Sequence, residues 1–252
     1  MVESPIDELR AGLMRLPRAQ VIKSLGVGKL IYQPGEPSDS IFLVQRGQIK
    51  ISIVGPGGKH CILDILNPGS IFGEASLAGE TVRQSVAEVV IEASLAMIPA
   101  ADVLTYAKNN PAFWRWLANH QAARVQRMER QLRWLCLLEV EQRLAELLLD
   151  WAAQEPSPRS AGEPVTFVLR QKDLAGLVGA TRETTSAALN RLRRDHCIEI
   201  HRRQVTVLST ERLAAHAGPS GPKSLTDSRR LTKAREDAPP APRKRERASS
   251  AG

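Results

Sequence analysis

Leu174-Ala-Gly-Leu-Val-Gly-Ala-Thr-Arg-Glu-Thr-Thr-Ser-Ala-Ala-Leu-Asn-Arg-Leu192 decides how the rest of the chain is read. Two helical patterns, Lys172–Val178 and Arg182–Arg194, flank Gly179-Ala180-Thr181. Glycine takes the positive φ at which a chain leaves a helix. Thr181 stands where a hydroxyl caps the second helix. Glu183 falls in that helix's first turn, where the macrodipole favours a negative charge. Thr185, Ala188, Leu189 and Leu192 share one face, which predicts a buried stripe. Arg182, Ser186, Asn190 and Arg193 lie opposite, with Glu183 beside them. A helix-turn-helix of this form sets the N-terminal residues of its second helix against base edges in a major groove. There Arg182 can pair with guanine or with a phosphate, and Glu183 can accept from a cytosine amino group. Arg191, Arg193, Arg194, Arg202 and Arg203 supply cations for phosphates. A charged surface helix in a small helical module is the bland alternative. Turn, cap and basic surroundings together favour double-stranded DNA.

Charge points the same way. The 252-residue chain carries a net +8, but residues 1–169 hold −1, residues 170–203 hold +4 and residues 219–252 hold +5. A basic C-terminal third suggests a polyanion partner. From Gly218 to Pro242 there are seven prolines and glycines and almost no apolar residue, so 218–252 reads as a disordered basic tail. No stretch approaches the roughly 18 apolar residues of a membrane span. Met1–Leu16 mixes Glu3, Asp7, Glu8 and Arg10 among its apolar positions, unlike a secretory leader. Cys61, Cys136 and Cys197 are odd in number and far apart, which suggests no disulfide framework, no metal site and a reducing cytoplasm. Cys197, beside Ile198, is expected to be buried and inert.

Upstream, residues 28–99 read as strands: Ile41–Val44, Ile49–Val54, Cys61–Leu66, Val86–Ile91 and Leu95–Ile98. Turn signals separate them at Pro34-Gly35, Arg46-Gly47, Pro56-Gly57-Gly58 and Pro68-Gly69. Gly35, Gly47, Gly58 and Gly69 recur at spacings of 12, 11 and 11, which suggests a rolled antiparallel sheet. From Pro111 to Leu138 the period changes. Val125, Met128, Leu132 and Leu135 form a narrow seam, either packed on the chain's own domain or, as the spacing favours, facing a second copy. A second helix over Glu139–Gln154 follows, then a Pro156–Pro164 loop and a strand at Val165–Leu169. A hairpin of Ile198–His201 and Val205–Leu208 closes the region after the helix-turn-helix.

These stretches resemble the Crp–Fnr family of bacterial regulators over about residues 25–215. The most specific match is Gly179-Ala-Thr-Arg-Glu-Thr184. Tyr32-Gln-Pro-Gly-Glu-Pro-Ser-Asp-Ser-Ile-Phe-Leu-Val-Gln-Arg-Gly47 and Pro68-Gly-Ser-Ile-Phe-Gly-Glu74 match as well. The resemblance implies an α+β chain in three parts. A jelly-roll sensor of cyclic-nucleotide-binding type covers 20–110, a dimerisation helix 111–138, and a winged helix-turn-helix 139–214 with recognition helix 182–194. It implies a homodimer on a near-palindromic operator, and RNA polymerase as a partner where the regulator activates. Base contacts are expected from Arg182 and Glu183, with Ser186, Asn190, Arg193, Arg170 and Arg202 around them. Two positions depart from the family: Ala187 replaces a base-contacting Arg, and Arg170 replaces the Thr or Ser that caps the first helix.

The same resemblance implies an effector site. In nucleotide-binding relatives a Gly-Glu turn offers its carboxylate to a ribose hydroxyl, and a later Arg pairs with the cyclic phosphate. Gly73, Glu74, Arg83 and Gln84 stand at those positions, with Gln84 where cyclic-AMP binders carry Ser. Met128 and Glu129 stand where relatives cap adenine with hydroxyls. A cyclic nucleotide is thus one candidate effector. An iron–sulfur cluster is not expected, because it needs about four thiolates. His60-Cys61 reads as structural. Two other classes compete with a regulator. A regulatory subunit of an enzyme is disfavoured, since the chain has no GxxxxGK[ST], HExxH or GxSxG. A nonspecific DNA binder would use the tail, with Arg229-Arg230 and Arg243-Lys-Arg-Glu-Arg247.

Overall fold

The computed structural model describes residues 5–56, 60–154 and 164–218. The tail from 219 onward and most of the 156–164 loop therefore lie outside the described residues. The first unit runs α1 (Pro5–Met14), β1 (Gln20–Leu25), β2 (Leu30–Tyr32), β3 (Ser40–Val54), β4 (His60–Leu66), β5 (Ile71–Phe72) and β6 (Val86–Pro99). Its antiparallel sheet is ordered β1-β6-β3-β4, with β2 added on β6 and β5 on β3. Helices α2 (Ala100–Asn109) and α3 (Pro111–Leu137) follow.

Two expected strand breaks, one of them with a turn at Arg46-Gly47, are absent. Ile41–Val44 and Ile49–Val54 are one strand, β3, and Val86–Ile91 and Leu95–Ile98 are another, β6. Arg46-Gly47 sits mid-strand as a bulge, where the β3–β6 register slips. Gly47 has φ +79, and a Cβ there would stand 2.1 Å from the Glu92 carbonyl oxygen. The glycine thus lets two backbones approach while the long strand bends. Helices α1 and α2 and the short strands β1, β2 and β5 carried too little periodicity to be anticipated.

The β-roll buries two clusters. One holds Tyr32, Phe42 and Phe72, whose ring centroids lie 5.0–6.0 Å apart. The other joins Leu13 of α1, Ile41 and Ile71 of the sheet, Val103 of α2, and Phe113, Trp116 and Leu117 of α3. Each such side chain contributes roughly 1.5–3 kcal/mol.

Helix α3 starts at a proline, favoured at a first helical position. Its 27 residues span about 40 Å. Its buried residues, Phe113, Trp116 and Leu117, all fall in its first two turns. Further on, Val125, Met128 and Leu132 are 51%, 39% and 61% exposed. Leu135 departs from that seam. It is half-buried, with Cδ2 2.5 Å from where a Cβ on Gly179 would stand.

The second unit comprises α4 (Val140–Gln154), β7 (Val165–Val168), α5 (Gln171–Val178), α6 (Arg182–Arg194), β8 (Ile198–His201), β9 (Gln204–Val207) and α7 (Thr210–His216). Strands β7-β9-β8 form a small antiparallel sheet. The core collects Leu144 and Leu148 of α4, Leu174 and Val178 of α5, and Leu189 and Leu192 of α6, with Cys197, Val205 and Leu213. Cys197 is wholly buried, and Cys136 on α3 is exposed. Ile62 of β4 belongs to this same cluster, so the first unit reaches into the second.

Candidate nucleic-acid interface and effector site

Helix α6, the expected recognition helix, is set by the turn before it. Gly179 takes φ +62 and ends α5. Thr181 Oγ1 accepts from the Thr184 amide at 3.2 Å, and Thr185 Oγ1 donates to the Thr181 carbonyl at 2.8 Å. Thr185, Ala188, Leu189 and Leu192 are buried, as their shared face predicts. Arg182, Glu183, Asn190 and Arg193 are exposed and Ser186 is half-buried. The Glu183 carboxyl is drawn below its ordinary pKa by its own backbone amide and by Thr181, with Arg182 adding to the effect. A charged Arg182–Glu183 pair therefore opens the helix. Ala187 is exposed on it too. Arg202 sits with φ +52 at the tip between β8 and β9, and it and Arg203 are exposed.

Arg170 does not stand with these residues. Its Nε donates to Asp173 Oδ2 at 2.7 Å and its Nη2 to Glu88 Oε1 of β6 at 3.2 Å. The expected DNA contact is spent on the β-roll, because burial of Asp173 beneath the sheet demands a cation beside it. Arg191, read as a phosphate contact, pairs with Glu141 of α4. Arg143 gave no sequence signal, yet it fixes the corner of the molecule. Its guanidinium donates to the carbonyls of Leu138 at 2.8 Å, Val178 at 3.0 Å and Leu135 at 3.0 Å.

The four expected effector residues are not all assembled. Gly73 takes φ +79 at the start of a short 3-10 turn, Glu74–Ala78. Arg83 is 5% exposed, and its guanidinium lies 4.5 Å from the Tyr32 ring centroid and 5.6 Å from that of Phe42. It donates to the Gly73 carbonyl at 3.1 Å and to the Ser40 carbonyl at 2.5 Å. Burial draws its pKa down, against the pull of Tyr32, Asp39 and Glu74. Gln84 is exposed. Arg124 of α3 donates to Glu74, and Arg127 to Asp64 at 2.9 Å. Glu74 Oε2, His120 Nε2, Gln121 Nε2, Arg124 Nε and Arg83 Nε are buried without a hydrogen-bond partner. Burial lowers the pKa of His120, whose ring faces Trp116 at 6.1 Å. Met128 and Glu129 are exposed on α3. Among the described residues no His, Cys, Asp and Glu gather as a metal site.

The cyclic nucleotide-binding domain model matches residues 22–110, and the Crp-like helix-turn-helix domain model matches residues 142–216. The CRP-like cAMP-activated global transcriptional regulator of Mycobacterium tuberculosis is 29% identical over 190 residues, which cover 75% of this chain and 85% of that protein. The cyclic AMP receptor protein of Thermus thermophilus is 30% identical over 173 residues, covering 69% and 77%. A solved CRP-family transcriptional regulator from Thermus thermophilus superposes with a TM-score of 0.66 at 26% identity, covering 78% of this chain and 97% of that one.

Thr181 caps α6 with little else to replace it. Thr181→Ala is expected to lower stability by about 1 kcal/mol. Denaturant titration measures the loss, and amide exchange should speed up first at Thr184.

Proposed function

The chain belongs to the Crp–Fnr family of transcription regulators, and from that premise we propose that it is a homodimeric, sequence-specific reader of a near-palindromic operator, controlled by a signal received in the β-roll. The observation that carries this reading is the capped, exposed start of α6, where Arg182 and Glu183 project together. Arg182 meets guanine or phosphate and Glu183 a cytosine amino group. Ser186, Asn190 and Arg193 line the same face, and Arg202 meets the backbone from the wing. With Ala187 in place of an arginine, the operator differs from that of relatives at one base step. Two recognition helices related by a two-fold axis would address half-sites about 34 Å apart. RNA polymerase is the partner where the regulator activates. The work is done in the cytoplasm, where the DNA is.

The enzyme-subunit alternative is weaker, because the relatives named above are regulators and the chain beyond the β-roll is spent on a helix and a DNA-reading unit. Salt dependence separates the two, since phosphate neutralisation releases counterions and a regulatory subunit shows no such slope on DNA. Arg182→Ala and Glu183→Ala should each weaken binding to the selected operator by about tenfold to a hundredfold, with a smaller effect on random DNA. Operator affinity unchanged in both variants would falsify the assignment of α6.

The seam on α3 supports the dimer. Val125, Met128 and Leu132 face solvent at the three-and-four spacing of a helix pair. Leu132→Lys is expected to convert dimer to monomer in sedimentation velocity, and the monomer should lose most of its operator affinity. A variant that stays dimeric places the interface elsewhere.

The effector site lies between Gly73-Glu74 and α3. The unpartnered Glu74 Oε2 suits a ribose hydroxyl, and the Arg83 guanidinium suits a phosphate once it leaves its aromatic stack. Two relatives are named for cyclic AMP, which makes cyclic nucleotides the first ligands to test. A nucleotide at about a hundred times its Kd stabilises by about 2.7 kcal/mol. A thermal shift of that size should vanish in both Glu74→Gln and Arg83→Ala. No shift with any nucleotide moves the signal to another metabolite.

A further inference from the structure

Four charged side chains form a closed ring between the two units. Lys50 Nζ lies 3.0 Å from Glu88 Oε2 and 2.9 Å from Asp173 Oδ1. Arg170 lies 3.2 Å from Glu88 Oε1 and 2.7 Å from Asp173 Oδ2. Lys50 and Glu88 face each other across β3 and β6. Arg170 and Asp173 open α5, the first helix of the helix-turn-helix. The ring is buried on one side: Lys50 is 6% exposed and Asp173 1%, while the Arg170 and Glu88 side chains reach solvent at 21% and 16%. Burial would raise the Asp173 pKa, but hydrogen bonds from Arg170 and Lys50 hold it below the ordinary value, so the ring stays charged.

The same stripe of α5 continues onto the β-roll. A Cβ on Gly176 would stand 3.0 Å from Ile62 Cγ1, so the glycine lets α5 lie against β4. Gln131 of α3 donates to the carbonyls of Ile62 at 2.7 Å and Leu177 at 2.9 Å, tying both sides together.

The first helix of a helix-turn-helix crosses the phosphate backbone, and its arginines and amide ends meet phosphates there. Here the Arg170 guanidinium is held by Glu88, an anion that takes a phosphate's place. Opening the ring strands no charge, because Lys50–Glu88 remains paired on the sheet and Arg170–Asp173 on α5.

We propose that this ring is an autoinhibitory latch that seats the first reader helix on the chain's own β-roll and withholds Arg170 from the DNA backbone. The inference rests on the DNA-reading function proposed above. In the latched chain the unit carrying α6 is pinned to the sensor. Release frees Arg170 and lets that unit reposition.

The test uses the full-length chain without effector. Lys50→Met combined with Glu88→Gln removes one charge of each sign from the sheet and leaves Arg170–Asp173 intact. Operator affinity, read by fluorescence anisotropy, should rise about tenfold, and amide exchange should speed up in β4 and α5. Arg170→Ala added to the pair should cancel most of the gain. Gln131→Ala, which cuts the same contact without touching a charge, should shift affinity the same way by a smaller factor and guards against a misfolded sheet. Weaker operator binding in both variants would make the ring a brace for the DNA-bound form and overturn the proposal. Unchanged binding with faster exchange overturns it as well. Arg182→Ala separates the failures. If it weakens binding while the latch variants change nothing, the latch alone is wrong. If it and Glu183→Ala both change nothing, the DNA-reading premise is wrong and the latch falls with it.

Discussion

Three carbonyls converge on the Arg143 guanidinium, and the arrangement of the two units depends on that point. Leu135 and Leu138 belong to the end of α3 and Val178 to the end of α5. Helix C-termini leave carbonyls without partners, and a cation there satisfies them and opposes the macrodipole. One side chain on α4 therefore ends two helices and sets the angle between them. Leu138 is extended in the break between α3 and α4, so no continuous helix fixes that angle. Leu135 closes the corner by filling the space that glycine leaves at Gly179. Gly179 thus serves twice: its positive φ starts the turn, and its missing side chain admits the long helix.

The long helix consequently divides its apolar residues among three tasks. Phe113, Trp116 and Leu117 bury against the β-roll and Leu135 against the second unit, while Val125, Met128 and Leu132 stay exposed. The sequence pattern of the last four suggested one seam. Periodicity reports which residues share a face but not what covers that face. Its lower end is covered by the chain itself, and the open stretch is shorter than the spacing implied.

The helix-turn-helix was legible because its signals are local. Turn glycine, threonine cap, acidic first turn and buried stripe all lie within a few residues, and each has its own physical reason. The β-roll was legible in its strands and not in its joins. A glycine in a strand pattern marks a bulge as readily as a turn, and Gly47 differs from a turn glycine only through the close approach of Glu92 across the sheet. The effector residues were legible as identities but not as a geometry. Arg83 is where the resemblance puts it, yet the face of its guanidinium is occupied by Tyr32 and its two Nη groups donate to carbonyls. A cation–aromatic contact of this kind is worth about 0.5–2 kcal/mol. Any anionic ligand must exceed that by more than the carbonyl hydrogen bonds it displaces.

The charge ring was the least legible feature, since its members are separated by up to 123 residues and none has an unusual neighbourhood in sequence. Its chemistry nevertheless suits a contact that has to open. An apolar interface of the same size would gain free energy from every ångström of burial and would hold the two units in one arrangement. A buried ion ring gains little net stability, because desolvation offsets most of the Coulomb attraction. It does impose a strict geometry, since leaving the buried Asp173 or Lys50 without its partner is strongly unfavourable. Opening as two neutral halves avoids that penalty. Ile62 and Ile65 of β4 add an apolar component, with Gly176 letting α5 lie close to Ile62. The interface is thus specific in position and modest in strength. That combination lets a ligand with a small difference in affinity between two arrangements shift the population from one to the other.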